Sequence, residues 1–420
     1  MIYRLLGLLF IALGLPAHPA YGSNYTDNRG LMPVGDVESF MANTGIALSG
    51  STGAVFFNPA GLAGFTSNQI SLSANAYTKR ESEFKPLLTI DNTDLDFSAS
   101  GIQAIPHSFI TTWRTKALTF ALSIIVPHQL KDEDVVSFSS PAYPVMQVAR
   151  TNYFQLLMGG ASAAARFANS YDIGVGCFYT MYQTSQLVFV SGNTNGAPNA
   201  AVSSLFYQAD VAGILCNGGI QKQLSEGLRV GLSAQFPFMP LTKSGKASAF
   251  VQEPVNGVSV SEGPKSVPAD YRIPLDIGLG FELRLASFWY LYLDVNHQFG
   301  ERYRTGTLYE DEVHVQSTTR FNSGFRLRFS KNFQILAGAA YNPSSVASDS
   351  NGFRENFVVG TLGAHWLSGN SSFGLGFVGA RSTGSGNVPV YSAEFAQIGR
   401  KSTSLRNEFY GVLVSSAYVF

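Results

Sequence analysis

Leu228-Arg229-Val230-Gly231-Leu232-Ser233-Ala234-Gln235-Phe236 places an apolar residue at every even position and a polar residue or glycine at every odd one. That period of two is the signature of a β-strand with one greasy face and one wet face. Residues 289–296 repeat it, with Trp289, Leu291, Leu293 and Val295 opposite Tyr290, Tyr292, Asp294 and Asn296. The longest run is 313–329. There Val313, Val315, Phe321, Phe325, Leu327 and Phe329 are expected on one face, with His314, Gln316, Thr318, Arg320, Asn322, Arg326 and Arg328 on the other. Strands of water-soluble proteins usually hold about 3–10 residues, so a strand of this length is expected to face something other than water.

Composition points the same way. Only 13% of the 420 residues are charged and 45% are hydrophobic, against a usual charged share of about 25%. Basic and acidic residues balance at 28 each, which removes the positive field that nucleic-acid binding needs. Residues 1–22 read as a signal peptide. Arg4 precedes an uncharged apolar run from Leu5 to Leu15, and Ala20-Tyr21-Gly22 offers a small-x-small cleavage site. No stretch reaches the ~18 apolar residues of a membrane-spanning helix, so a membrane-spanning chain of this sequence needs a closed barrel.

Fourteen alternating segments can be marked between residue 68 and the C-terminus. Long connections (79–105, 127–147, 191–202, 241–269, 301–312, 343–352 and 383–406) alternate with short turns. An even strand number with long loops at one end and tight turns at the other is the pattern of a bacterial outer-membrane barrel. The expected organisation is all-β: a signal peptide (1–22), a segment in the lumen (23–65) and a 14-stranded antiparallel transmembrane barrel (66–420). The final run, Tyr410 to Phe420, ends on an aromatic residue like the assembly signal of outer-membrane barrels, which implies recognition of Phe420 by the barrel assembly machinery.

Other motifs carry little chemistry. Gly374-Leu375-Gly376-Phe377-Val378-Gly379 matches a dinucleotide-binding pattern in letters only, since it lies in an alternating strand and opens no helix. Cys177 and Cys216 fit no metal spacing and read as small apolar fillers. The histidines and serines form no nucleophile elbow, HExxH motif or visible triad, so no enzyme, metal or cofactor is expected.

Residues 23–65 lack strand alternation and are too few for a core of their own, which makes the barrel lumen their expected place. They contain Asn58-Pro59-Ala60 after a small-residue-rich stretch. With Ile105-Pro106-His107-Ser108, Val126-Pro127, Leu228–Leu232 and Arg272–Gly280, this resembles the FadL family of outer-membrane transporters for long-chain fatty acids and other hydrophobic compounds. The resemblance implies a monomer with an N-terminal hatch carrying Asn58, Pro59 and Ala60, ligand capture among the outer loops, and sideways release through the wall. Phe138, Tyr143 and Phe250 are capture candidates, and Arg320, Arg272 and Arg302 are candidates to grip a carboxylate. The family's gate depends on a distorted third strand, whereas residues 117–126 contain neither Gly nor Pro and predict no kink. Alternatives are a general porin for polar solutes, or a non-importing member that partners surface or secretion machinery.

Overall fold

A computed structural model describes residues 33–90, 93–139, 145–167, 171–193, 200–252, 259–306, 310–347, 354–391 and 397–420. The signal-peptide reading of 1–22 and the capture candidate Tyr143 lie outside these residues. The first nine strands are β1 (Gln69–Ile90), β2 (Thr93–Arg114), β3 (Leu118–Phe138), β4 (Val145–Phe167), β5 (Tyr171–Asn193), β6 (Ala200–Ser225), β7 (Leu228–Gln235), β8 (Met239–Gln252) and β9 (Ser259–Ser266). The other nine are β10 (Asp276–Ala286), β11 (Trp289–Gln298), β12 (Glu301–Gly306), β13 (Glu310–Val315), β14 (Thr318–Arg328), β15 (Phe333–Asn342), β16 (Arg354–Ser368), β17 (Ser371–Tyr391) and β18 (Gln397–Val419).

Fourteen of these strands form a closed antiparallel ring, running β1 to β7, then β10, β11 and β14 to β18, with β18 paired back to β1. The hairpin β8–β9 continues from the upper half of β6, and β12–β13 forms a separate two-stranded ribbon. Both ends of the ring meet at the turn side, where Phe420 N donates to Asn68 O.

The barrel is inside-out relative to a soluble protein. Along β16 the alternation turns Val358, Leu362 and Trp366 outward and exposed, while Thr361 and His365 are buried within. Exposed large apolar residues beside buried polar ones are the informative departure from soluble packing. The apolar band runs from Trp366 to Val358 on β16, and from Tyr418 to Tyr410 on β18. Eight residues of tilted strand span about 20 Å, close to the ~25 Å band of outer-membrane barrels.

The strands are far from equal in height. β1 to β6, β17 and β18 hold 21–26 residues, whereas β10, β11, β14 and β15 hold 10–11. The tall strands continue about 30 Å beyond the apolar band. There the outward residues become Lys79, Glu81, Glu83 and Lys85 on β1 and Arg406 on β18.

Three expectations need correction. Much of the connections 79–105, 127–147, 241–269, 301–312 and 383–406 is strand, because polar residues on both faces hide the alternation once the chain leaves the lipid. The 313–329 run is two strands: Gln316 and Ser317 interrupt it, Gln316 N donates to Ser345 O, and Val315 is buried while Phe321, Phe325 and Phe329 face outward. Finally, Cys177 and Cys216 are a cross-strand pair of β5 and β6 joined by a disulfide on the outer face. The nucleotide-motif lookalike lies within β17, where Gly374 and Gly376 leave room for the Phe40 ring inside the barrel.

Candidate functional site

Residues 33–65 lie inside the ring and are almost wholly buried. Their regular pieces are short: a 3-10 turn at Glu38–Met41, one helical turn at Ala54–Phe57 and a 3-10 stretch at Pro59–Gly64. Such a segment leaves many backbone groups without partners of its own, and polar side chains of the wall supply them. Asp294 accepts from Gly45 N and Ile46 N at 2.7 and 3.0 Å. Asn217 donates to Val55 O and Phe56 O, Gln221 to Ile46 O and Leu48 O, and Asn322 to Ala42 O. Thr361 accepts from Ala42 N and donates to Phe40 O.

Asn58-Pro59-Ala60 sits at the centre of this arrangement, and all three residues are buried. Asn58 caps the 3-10 stretch by accepting from Ala60 N at 3.1 Å, and its Nδ2 donates to Ile46 O at 2.7 Å. Pro59 takes the first helical position, where its missing N–H costs nothing. Two glycines make the close approach possible. A Cβ at Gly219 would overlap the Asn58 side chain, and one at Gly174 would overlap the backbone of Pro59 and Ala60.

Glu38 is wholly buried in this segment, facing Gly35 and Gly53. Burial, reinforced by Asp36, pushes its carboxyl up to about 8. Between pH 4.5 and 8 the unfolded chain therefore ionises while the folded one keeps its proton, so stability should fall as pH rises through that window and level off above it. Glu38→Gln should flatten this dependence, checked as urea midpoints of the detergent-solubilised barrel at pH 5 and pH 8.5. An equal drop in both proteins would assign the effect to another group.

Above the segment a line of buried rings follows the inner wall from β3 past β4 and β5 to the start of β8. His128 meets Phe154 at 4.7 Å, Phe154 meets Tyr182 at 5.1 Å, Tyr182 stacks on Tyr271 at 4.0 Å, and Tyr271 meets Phe238 at 6.0 Å between centroids. Each such pair contributes roughly 0.5–1.5 kcal/mol beyond area burial. The line starts at a discontinuity in the wall. The ladder between β2 and β3 stops at Ser108–Ile125, and the β3–β4 register shifts between Ile125 and His128, around Val126-Pro127. The third strand is thus distorted just past the 117–126 window, because Pro127 offers no N–H to the ladder.

Beside the rings lies a cavity of about 80 Å³ with an apolar side formed by Phe56, Phe57, Leu156, Met158 and Ile273. Its polar side holds Asn296, Asn322 and the ion pair of Arg320 with Asp276. This is smaller than the ~150 Å³ cavity that admits benzene in an engineered protein, so a hydrophobic ligand would need the walls to move.

The remaining site candidates are scattered. Arg272 pairs with Asp270 at 3.3 Å, and Arg302 is exposed on β12. Phe250 is half-buried on β8, and Phe138 ends β3. The ring line itself escaped the sequence reading. Phe154 and Tyr182 lie on the lumenal face of their strands, where an aromatic is a departure from a polar lining, but apolar neighbours on both faces obscure them.

No family model and no curated protein sequence matches the chain. Solved structures do. A Pseudomonas aeruginosa FadL homologue aligns at 13% identity over 92% of this chain and 100% of its own, with a TM-score of 0.66. The Ralstonia pickettii toluene transporter TbuX aligns at 14% identity over 93% and 99%, with a TM-score of 0.65. The Pseudomonas putida toluene transporter TodX aligns at 14% identity over 92% and 98%, with a TM-score of 0.64. The chain therefore has the fourteen-stranded barrel fold of the FadL homologues and toluene transporters.

Proposed function

We propose that this barrel resides in a bacterial outer membrane and takes up hydrophobic small molecules, with long-chain fatty acids and aromatic hydrocarbons as the ligand classes. The observation that carries the reading is the line of buried rings that starts at the Pro127 wall break and runs beside the cavity over residues 33–65. An apolar solute gains roughly 0.8 kcal/mol per methylene on leaving water, so it crosses most readily along a dry track. A charged, water-filled porin lumen offers no such track.

In this reading residues 23–65 are the hatch, Asn58-Pro59-Ala60 is its hub, and the opening beside Pro127 is where ligand leaves sideways into the membrane. Arg320 would grip a carboxylate after exchanging its partner Asp276, a pairing that a hydrocarbon would leave undisturbed. The protein acts without catalysis, as a monomer, and Phe420 marks it for barrel assembly.

The test is uptake of labelled oleate and labelled toluene by cells lacking their own transporter of this kind. Replacing Asn58 and Pro59 together by Ala should abolish most uptake while the barrel still inserts. Removal of the Asn58 cap costs about 0.5–2 kcal/mol, and the loss of its donor leaves Ile46 O with Gln221 alone. Correct insertion with no uptake of either compound by the unaltered protein would refute the reading.

A further inference from the structure

The wall carries a second discontinuity, three strands round the ring from Pro127 on β3. β6 pairs with β7 up to Asn217–Gln235 and with β8 from Ile214–Met239 upward, and Phe236-Pro237-Phe238 joins the two. On the other edge of β8, residues 267–275 precede β10 and belong to no strand. Phe238 N donates to Ile273 O, and Val267 N donates to Gly245 O. Among the described residues, no backbone hydrogen bond joins the two segments between those points. Six residues of β8 edge, about 20 Å of strand, are therefore unzipped. Pro240 lies on one side of this seam and Pro268 on the other, and neither has a backbone N–H to donate.

Between those points charge bridges the seam. Lys243 Nζ lies 2.8 Å from Asp270 Oδ1, and Arg272 Nε lies 3.3 Å from Asp270 Oδ2. Immediately inside, Tyr271 is stacked on Tyr182, and Phe238 and Ile273 are buried. Outside, Phe236, Met239 and Leu241 are exposed apolar side chains. The Cys177–Cys216 disulfide joins β5 to β6 at this height, since Phe236 N donates to Cys216 O. The β5–β6 side is stapled, and any movement falls to residues 267–275.

Building on the hydrophobic-uptake reading, we propose that this seam is a second lateral portal for small aromatic hydrocarbons, latched by Asp270 with Lys243 and Arg272. The ring line then has a wall opening at each end, His128 at one and Phe238 at the other. Partly exposed ion pairs are weak, so the charged part of the seam parts readily.

The probe is 3-trifluoromethyl-3-phenyldiazirine, a toluene-sized photoreagent, photolysed with the purified full-length barrel in liposomes. Labelled residues are read by mass spectrometry. Lys243→Cys with Asp270→Cys is examined after bridging with a short bis-maleimide, beside the same protein capped with a monofunctional maleimide. Label at Tyr182 and Tyr271, measured relative to Phe154 at the Pro127 end of the line, is expected in the unaltered and capped proteins and should fall about fivefold on bridging. Label at those tyrosines that ignores the bridge, or label confined to Met239 and Leu241 in every form, would overturn the portal. The readout needs no uptake, so failure of oleate and toluene import in cells would count against the transport reading separately.

Discussion

Gly174→Leu is expected to turn a closed barrel into a conducting one. A side chain at this lumenal position would overlap the backbone of Pro59 and Ala60, and backbone cannot step aside as a flexible side chain can. The 3-10 stretch Pro59–Gly64 must lift off β5, and with it goes the Asn58 cap that holds Ile46. Fourteen strands enclose a lumen that is sealed only by what fills it. Single-channel recording in planar bilayers should show sustained current for Gly174→Leu and little for the unaltered protein. Gly360→Leu is the control, because a Cβ at that outward position meets nothing within 4 Å. Equal conductance of the two variants would mean that residues 33–65 are not what closes the pore.

Leu362→Arg tests the other side of the wall. Leu362 lies near the middle of the apolar band and is 56% exposed. In lipid, an arginine there should cost about 2–4 kcal/mol of folding stability. Ser402→Arg, on the outer face of β18 above the band, should stay within about 0.5 kcal/mol. Urea unfolding in liposomes reads both. Equal stability of the two variants would remove the assignment of the outward face to lipid.

Much of the barrel was legible because lipid imposes a simple rule on the strands it touches. Wherever a strand lies in the apolar band, as in Leu228–Gln235 or Trp289–Gln298, alternation is clean and the sequence locates the strand within a few residues. Above the band the rule lapses. Lys79, Glu81 and Glu83 face outward while Arg80 and Ser82 face inward, so strand continues where the letters look like loop. The 313–329 run misled for the opposite reason, since its apolar parity survives a break at Gln316-Ser317 that resets which face is inside.

The site divides in a similar way. Asn58-Pro59-Ala60 was visible through its resemblance to the FadL hatch motif, whereas the cap it forms and its fit against Gly174 and Gly219 are supplied by the folded chain. The ring line was not, since His128, Phe154, Tyr182, Phe238 and Tyr271 come from five separate stretches that only the curvature of the wall brings together. Arg320 was placed on the inner face by parity, but its partner Asp276 stands 44 residues away in the chain. The cysteine pair needed the β5–β6 register, which no single-strand pattern contains.

The unequal height of the wall gives the molecule a windward side. Glycolipid sugars crowd the surface of an outer membrane and form a wet thicket in which oily molecules dissolve poorly. From β17 through β18 to β6 an arc of wall stands about 30 Å clear of the lipid, split between β2 and β3 above Ser108–Ile125, and encloses Phe84, Phe97 and Leu405 as a dry inner cluster. An oily solute meeting that arc would exchange water for protein above the thicket and descend along the inner face of the tall side, never having to dissolve among the sugars at all.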